Sequence, residues 1–276
     1  MIGIVGASGL VGRNLWAHFA QQHAEQHAEH GGVLGTYCDR QRDGLIHFDL
    51  QKGEFGVFAG CRAVIVSIQL PSIDHYRRDV ASAYDFSVTK TIALLDWLRE
   101  RKIKPVFLSS EQVFDGAKGL YEEDDEPNPL NLYGRYKLEV ERFMQERLDD
   151  YLIFRLSKTY SKDPQDGGVY LEILDRLRRG EKQTAAFNQV YNPTDVALVC
   201  RFIRRSLELG LSGLYHLADR KVMSRLELAR EIAAEHGIDH RGLVEGIDYR
   251  TLGLVEPRPL DTSMRVERIH RLCGGA

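Results

Sequence analysis

An α/β fold, a doubly wound parallel sheet with a smaller C-terminal α/β lobe, is predicted by three features of the sequence. Short apolar runs rich in β-branched residues recur through the first 160 residues. Amphipathic stretches separate them, and strands that alternate with helices build a parallel sheet covered on both faces. A glycine-spaced turn, Gly6, Gly9 and Gly12, follows the first run and opens the first helical stretch, where such a sheet binds phosphate groups.

Taken in order, Ile2–Val5 is the first strand, and the helical stretch that begins at Leu10 stops at Gly31 and Gly32. Further β-rich runs follow at 33–37, 45–48, 63–68, 106–109 and 152–156. The clearest helical pattern places Val80, Tyr84, Val88, Ile92 and Leu95 at spacings of three and four. Residues 1–160 therefore read as one sheet domain. Beyond Pro164 the order loosens, with helices at 171–179, 195–209 and 226–236 and short strands at 184–187 and 213–217. Residues 161–276 read as a smaller lobe packed on the first, with an interleaved boundary.

Composition narrows the function. The chain has 276 residues, 37 Lys and Arg against 40 Asp and Glu, and a net charge of -3, so no global basic field exists to hold a nucleic acid or an anionic membrane. No apolar run approaches the roughly 20 residues of a membrane span, and the opening MIGIVGASGL lacks the basic flank of a signal peptide. Cys38, Cys61, Cys200 and Cys273 lie far apart without a CxxC pair, which disfavours disulfides and zinc and fits a reducing cytoplasm. The repeated QHAE at 22–29 spaces His23, His27 and His30 along one helix face, but without carboxylate or cysteine partners it reads as a solvated face, and no metal is expected. The acidic run at 122–126 likewise reads as a solvated loop, since its adjacent carboxylates repel and it ends at Pro127 and Pro129.

Chemistry begins at the glycines. Gly6 permits the tight turn, Gly9 lets backbone approach a pyrophosphate, and Gly12 allows the helix to pack closely on the sheet. Near the end of the second strand stand Asp39, Arg40 and Arg42. An acidic residue there accepts from a ribose 2′-OH and favours NAD(H), whereas arginines pair with a 2′-phosphate, so NADP(H) is favoured with NAD(H) as the alternative. Asp49 and Leu50, after the third strand, are placed to meet the adenine end. Tyr133 and Lys137 form a YxxxK pair on one helix face. A lysine ammonium beside a tyrosine lowers its pKa from about 10 toward the working pH, so Tyr133 can exchange a proton with a carbonyl while Ser110, at the end of an apolar strand, hydrogen-bonds the same oxygen.

These residues carry a resemblance. GASGLVG at 6–12, LSSEQVFDGAKGLYEEDDEPNPLNLYGRYKLEVE at 108–141, YNPTDVA at 191–197, GLYHLAD at 213–219 and RPLDTS at 258–263 together resemble the dTDP-4-dehydrorhamnose reductase family of extended short-chain dehydrogenases/reductases, along nearly the whole chain. The resemblance implies a Rossmann-type domain with a small C-terminal lobe for a nucleotide-sugar. It implies that Tyr133 donates the proton, that Lys137 binds the nicotinamide ribose and tunes Tyr133, and that Ser110 orients the substrate carbonyl. Ser8, Leu10 and Val11 would join the glycines around the dinucleotide. Ser67, Ile68 and Gln69 stand where the family has an Asn-Ala-Ala run that contacts the cofactor, and Ser87 where an asparagine is common. Glu111, followed by Gln112, replaces the family's Asp-Tyr, and Lys158 replaces a tryptophan; with Arg258 these residues are implied to face the sugar nucleotide.

The expected function is an NAD(P)H-dependent reductase of a nucleotide-linked 4-keto-6-deoxyhexose, as in dTDP-rhamnose biosynthesis, with a homodimer possible. Two alternatives remain: a nucleotide-sugar epimerase, and a non-catalytic binding protein like the regulatory subunit of methionine adenosyltransferase, which shares the fold and a similar LNLYG segment. The resemblance also disfavours dehydration, because Gln112 stands where the sugar dehydratases of this superfamily have the acid of a Thr-Asp-Glu pattern.

Overall fold

The computed structural model describes residues 1–26 and 32–274. The His23, His27 and His30 face lies outside the side chains so described. The chain runs β1 (Ile2–Val5), α1 (Leu10–Gln26), β2 (Val33–Tyr37), β3 (Ile46–His47), β4 (Ala63–Val66), α2 (His75–Arg78), α3 (Val80–Tyr84), α4 (Lys90–Glu100), β5 (Lys104–Ser110), α5 (Leu132–Arg147) and β6 (Leu152–Leu156). It continues through β7 (Thr159–Tyr160), α6 (Val169–Arg178), β8 (Gln183–Ala186), β9 (Val190–Tyr191), β10 (Thr194–Asp195), α7 (Val196–Glu208), β11 (Gly213–Leu217), β12 (Met223–Ser224), α8 (Arg225–Glu235), β13 (Val244–Ile247) and α9 (Glu267–Cys273).

Seven parallel strands form the main sheet in the order β3-β2-β1-β4-β5-β6-β11. The order reverses between β1 and β4, and ligands of open α/β sheets bind outside the strand ends at such a switch point. Alternation along the strands supplies two cores. Ile2, Ile4, Ile65 and Val106 pack toward α1, α7 and α9, while Val5, Val64, Val66 and Phe107 pack toward α4 and α5. The central strands β1 and β4 are apolar and buried on both faces because both are covered, whereas β3 at the edge is exposed.

Two features differ from the sequence reading. Gly213–Leu217 does not belong to the smaller lobe: as β11 it pairs with β6 and forms the edge of the main sheet, and α7 packs on α1. The remaining lobe gathers α6, α8, β8 and β13 around Tyr170, Ile173, Met223, Leu226 and Ile232. The helical pattern from Val80 is also interrupted, because a π turn at Asp85–Thr89 separates α3 from α4. The wider turn rotates the face, leaving Val80 and Tyr84 exposed while Val88 and Leu95 are buried. Among the described residues no helix is long and apolar enough to cross a membrane.

Candidate active site

The glycine turn divides its labour by contact. Gly6 has φ +81°, and a Cβ there would press on the Ser67 carbonyl. A Cβ on Gly12 would run into the Gly6 carbonyl and come within 2.9 Å of the Ala7 Cα, so α1 packs this closely only without a side chain. Gly9 is exposed, and its nearest neighbour, the Gly6 oxygen, would lie 3.5 Å from an added Cβ. The fold therefore tolerates a side chain at Gly9, and the space above it is open. Gly9 N–H donates to Gly6 at 3.1 Å and Ala7 N–H to Thr36 at 2.7 Å, which holds the turn against β2. Ser8, Leu10 and Val11 are half-buried around it, and α1 has no acidic residue in its first turn. The Asp166 carboxylate, from the segment after β7, pairs with Arg13 and accepts from Asn14 at 2.9 Å on one side of this first turn, while the exposed Gly9 side leaves helix N–H groups open to a pyrophosphate.

Asp39, Arg40 and Arg42 are exposed beyond β2. Asp49 accepts from Gln51 N–H at 2.9 Å and caps the short turn Leu50–Lys52, within which Leu50 is buried. Asp49 also lines a shallow hollow with Phe48, Lys52, Glu54 and Val57. Beyond β4, Ser67 N–H donates to Val5 at 3.0 Å, continuing the ladder toward the turn.

Tyr133, Lys137 and Ser110 converge as the YxxxK spacing and the apolar strand predict. Asn131 caps α5 through Gly134 N–H at 2.9 Å, and its amide reaches Gln112 Oε1 and the Pro257 carbonyl, both at 3.1 Å. Gly134 lets the helix sit against Gln112, where a Cβ would collide with the backbone. The Tyr133 hydroxyl donates to Gln69 Oε1 at 3.3 Å. Lys137 Nζ donates to the Leu108 carbonyl at 2.8 Å and the Ile68 carbonyl at 3.3 Å. It lies 4.5 Å from the Phe107 ring centre and 5.7 Å from that of Tyr133.

Electrostatics here correct one expectation. The Tyr133 pKa is raised, not lowered: burial disfavours the phenolate, repulsion from a Tyr76 phenolate at high pH would add to this, and the neighbouring Ser110 hydroxyl opposes it. The Lys137 ammonium points at carbonyls instead of the tyrosine oxygen. Burial lowers its own pKa to about 7, against an opposing pull from Glu141. Before any ligand binds, Tyr133 is thus a proton-bearing phenol beside an amine that titrates near neutrality.

Glu111 is buried, accepting from the Ser110 hydroxyl and the Gln112 amide, each at 3.2 Å, and burial raises its pKa. Lys158 is solvent-accessible yet has much protein around it. That surrounding mass lowers its pKa while the Glu111 charge raises it. Arg258 donates to Asp74 at 2.9 Å and to the Glu256 carbonyl at 2.8 Å, and its charge is felt at Lys158. The buried Glu256 carboxylate pairs with Arg77 and accepts from Leu132 N–H at 2.9 Å, at the start of α5. Sequence reading missed Asp74, Arg77 and Glu256, because their contacts join segments about 180 positions apart. A weak signal for Arg155 and Glu141 existed: an arginine inside the apolar run LIFRL, and a glutamate four residues after Lys137.

The family described as RmlD substrate binding domain matches residues 1–275. Methionine adenosyltransferase 2 subunit beta of Bos taurus is 27% identical over 270 residues, covering 92% of this chain and 78% of that protein. A hypothetical dTDP-4-dehydrorhamnose reductase from Sulfolobus tokodaii superposes with a TM-score of 0.84 at 26% identity, over 99% of this chain and 94% of that one. The dTDP-4-dehydrorhamnose reductase of Bacillus anthracis, solved in complex with NADP, superposes with a TM-score of 0.82 at 21% identity, over 99% and 92% of the two chains.

Proposed function

The chain belongs to the RmlD substrate-binding domain family, and from that premise we propose that it is an NAD(P)H-dependent reductase of a nucleotide-linked 4-keto-6-deoxyhexose. The observation that carries this reading is the meeting of Ser110, Tyr133 and Lys137 at the carboxyl edge of β5, with Lys137 on the carbonyl of Ile68, a residue that Gly6 of the glycine turn packs against. Bound NAD(P)H supplies the hydride that reduces the keto carbon. Gly6, Gly9 and Gly12 with the start of α1 would hold its pyrophosphate, Lys137 its nicotinamide ribose, and Asp49 and Leu50 would border its adenine end. Arg40 and Arg42 favour NADP(H), and Asp39 is the residue through which NAD(H) would be read.

The residues act on the proton. Ser110 hydrogen-bonds the substrate carbonyl oxygen and aligns it with the Tyr133 hydroxyl. A raised Tyr133 pKa keeps that hydroxyl protonated until negative charge develops on the oxygen, and Tyr133 then donates. Lys137 stabilises the phenolate left behind. Glu111 and Lys158 line the sugar side of the cleft. Arg258 reaches that side through its pairing with Asp74, and serves the substrate by ordering the 254–258 segment.

A second reading, a non-catalytic regulatory protein, is favoured by the methionine adenosyltransferase relatives. Cofactor consumption separates the readings. Wild-type chain mixed with dTDP-4-keto-6-deoxyhexoses and NADPH is expected to oxidise one NADPH per sugar reduced. A retained cofactor with sugar interconversion but no net oxidation indicates an epimerase, and dinucleotide binding without turnover indicates the regulatory reading.

A further inference from the structure

Beneath the catalytic face of α5 lies a buried ionic cluster that the proton-transfer scheme does not use. Glu141 stands one helical turn beyond Lys137 and two beyond Tyr133, so the three share a face. Its carboxylate is fully buried and accepts from Arg155 at 2.7 Å and 3.1 Å, and from the Ser109 hydroxyl. Ser109 and Arg155 are register partners on β5 and β6, which places them side by side under the helix. Arg155 also reaches the Glu123 carbonyl at 3.4 Å and lies 5.1 Å from the Phe114 ring centre. Such a pair is poor evidence for stability, because well-packed apolar residues fill the same space without desolvating two charges. Its placement points to another role.

We propose that Glu141 is a positioning residue, fastened to the sheet by Arg155 and Ser109, that holds Lys137 charged and seated between the Leu108 and Ile68 carbonyls. The inference rests on reading Tyr133 and Lys137 as the proton-transfer pair. Among the described residues, those that line the small cavity beside Lys137 are uncharged near neutrality: they include Tyr133 and Tyr136 from α5, Tyr76 from α2, Ser87 and Phe86 from the π turn, and Phe107 from β5. Glu141 is the anion set against the burial that drives the Lys137 proton off. Arg155 is the cation that Glu141 itself answers, so it fixes the carboxylate without a place in the site.

Competitive acetylation with acetic anhydride, from about pH 5 to about pH 10 and read on the Lys137 peptide by mass spectrometry, reports the Lys137 midpoint in the full chain without cofactor or substrate. Glu141→Gln is expected to lower that midpoint by about one unit or more. Arg155→Gln, which leaves the carboxylate unbalanced, is expected to raise it. Either single change strands a buried charge and can impair folding, so Glu141→Gln combined with Arg155→Gln is the companion variant. It removes both charges and is expected to fold with the midpoint still below wild type, whereas Glu141→Asp is expected to restore most of it. An unchanged midpoint in the folded double variant overturns the proposal. NADPH titration of the wild type keeps the two claims apart: failure to bind sinks the reductase reading, while the labelling result still decides the role of Glu141.

Discussion

Lys137 loses much of its hold on a proton when it is buried, and this has a consequence for stability with a definite sign. The folded amine titrates near 7, the unfolded one at about 10.4. Below pH 7 both states are protonated and the cost of burying the charge is present in full. Between about 7 and 10 the unfolded chain binds more protons, so stability rises with pH as that cost is relieved. Lys137→Met is therefore expected to raise the urea midpoint of the ligand-free protein most at about pH 6 and least near pH 10; a pH-independent difference counts against a buried, depressed amine. Arg40 and Arg42 make the second case. Charge-assisted hydrogen bonds contribute about 1.5 to 3 kcal/mol each, so replacing both with alanine is expected to weaken NADPH binding by at least about tenfold and leave NADH nearly unchanged in calorimetric titration. Equal losses would assign the ribose contact to Asp39. At this scale Tyr133, Lys137 and Ser110 were legible because their relation is local, a helix spacing and a strand end. The direction of the Tyr133 shift was not, since it depends on burial and on where the Lys137 amine points.

Helix α1 and the turn before it behave as one element whose glycines have separable duties. Gly12→Val drives a side chain into the Gly6 carbonyl and the Ala7 backbone, so it is expected to destabilise the fold by about 2 kcal/mol or more. Gly9→Val meets ordinary contact distances within the protein, so its unfolding midpoint is expected to stay close to wild type while NADPH affinity falls by about tenfold or more. Thermal unfolding and calorimetry on the same two variants check both halves; a Gly9→Val chain that binds NADPH normally removes this turn from the cofactor site. The strands of the main sheet were readable as apolar β-branched runs, and their ends moved by only a few residues. The π turn at Asp85–Thr89 was not readable, because periodicity from Val80 to Leu95 continues through it while the single extra residue per turn shifts the buried face.

Across the whole molecule the chain leaves the sheet after β6, builds part of the smaller lobe, returns through α7 and β11, and leaves again. Sequence order hides that return, since pairing of β11 with β6 is set by contacts between segments about 60 positions apart. The last crossing carries Glu256 and Arg258 onto Arg77 and Asp74 and onto the start of α5, tying the smaller lobe to the helix that bears Tyr133 and Lys137. In the proposed reaction Tyr133, on that helix, is the proton donor to a nucleotide-linked ketone. The most direct measurement is the pH-rate profile of NADPH oxidation by wild type and Tyr133→Phe, on the dTDP-4-keto-6-deoxyhexose that proves active. Tyr133→Phe is expected to lower kcat by between about a hundredfold and ten-thousandfold at every pH, with folding and NADPH affinity preserved. A variant that keeps the wild-type kcat across that profile contradicts the account.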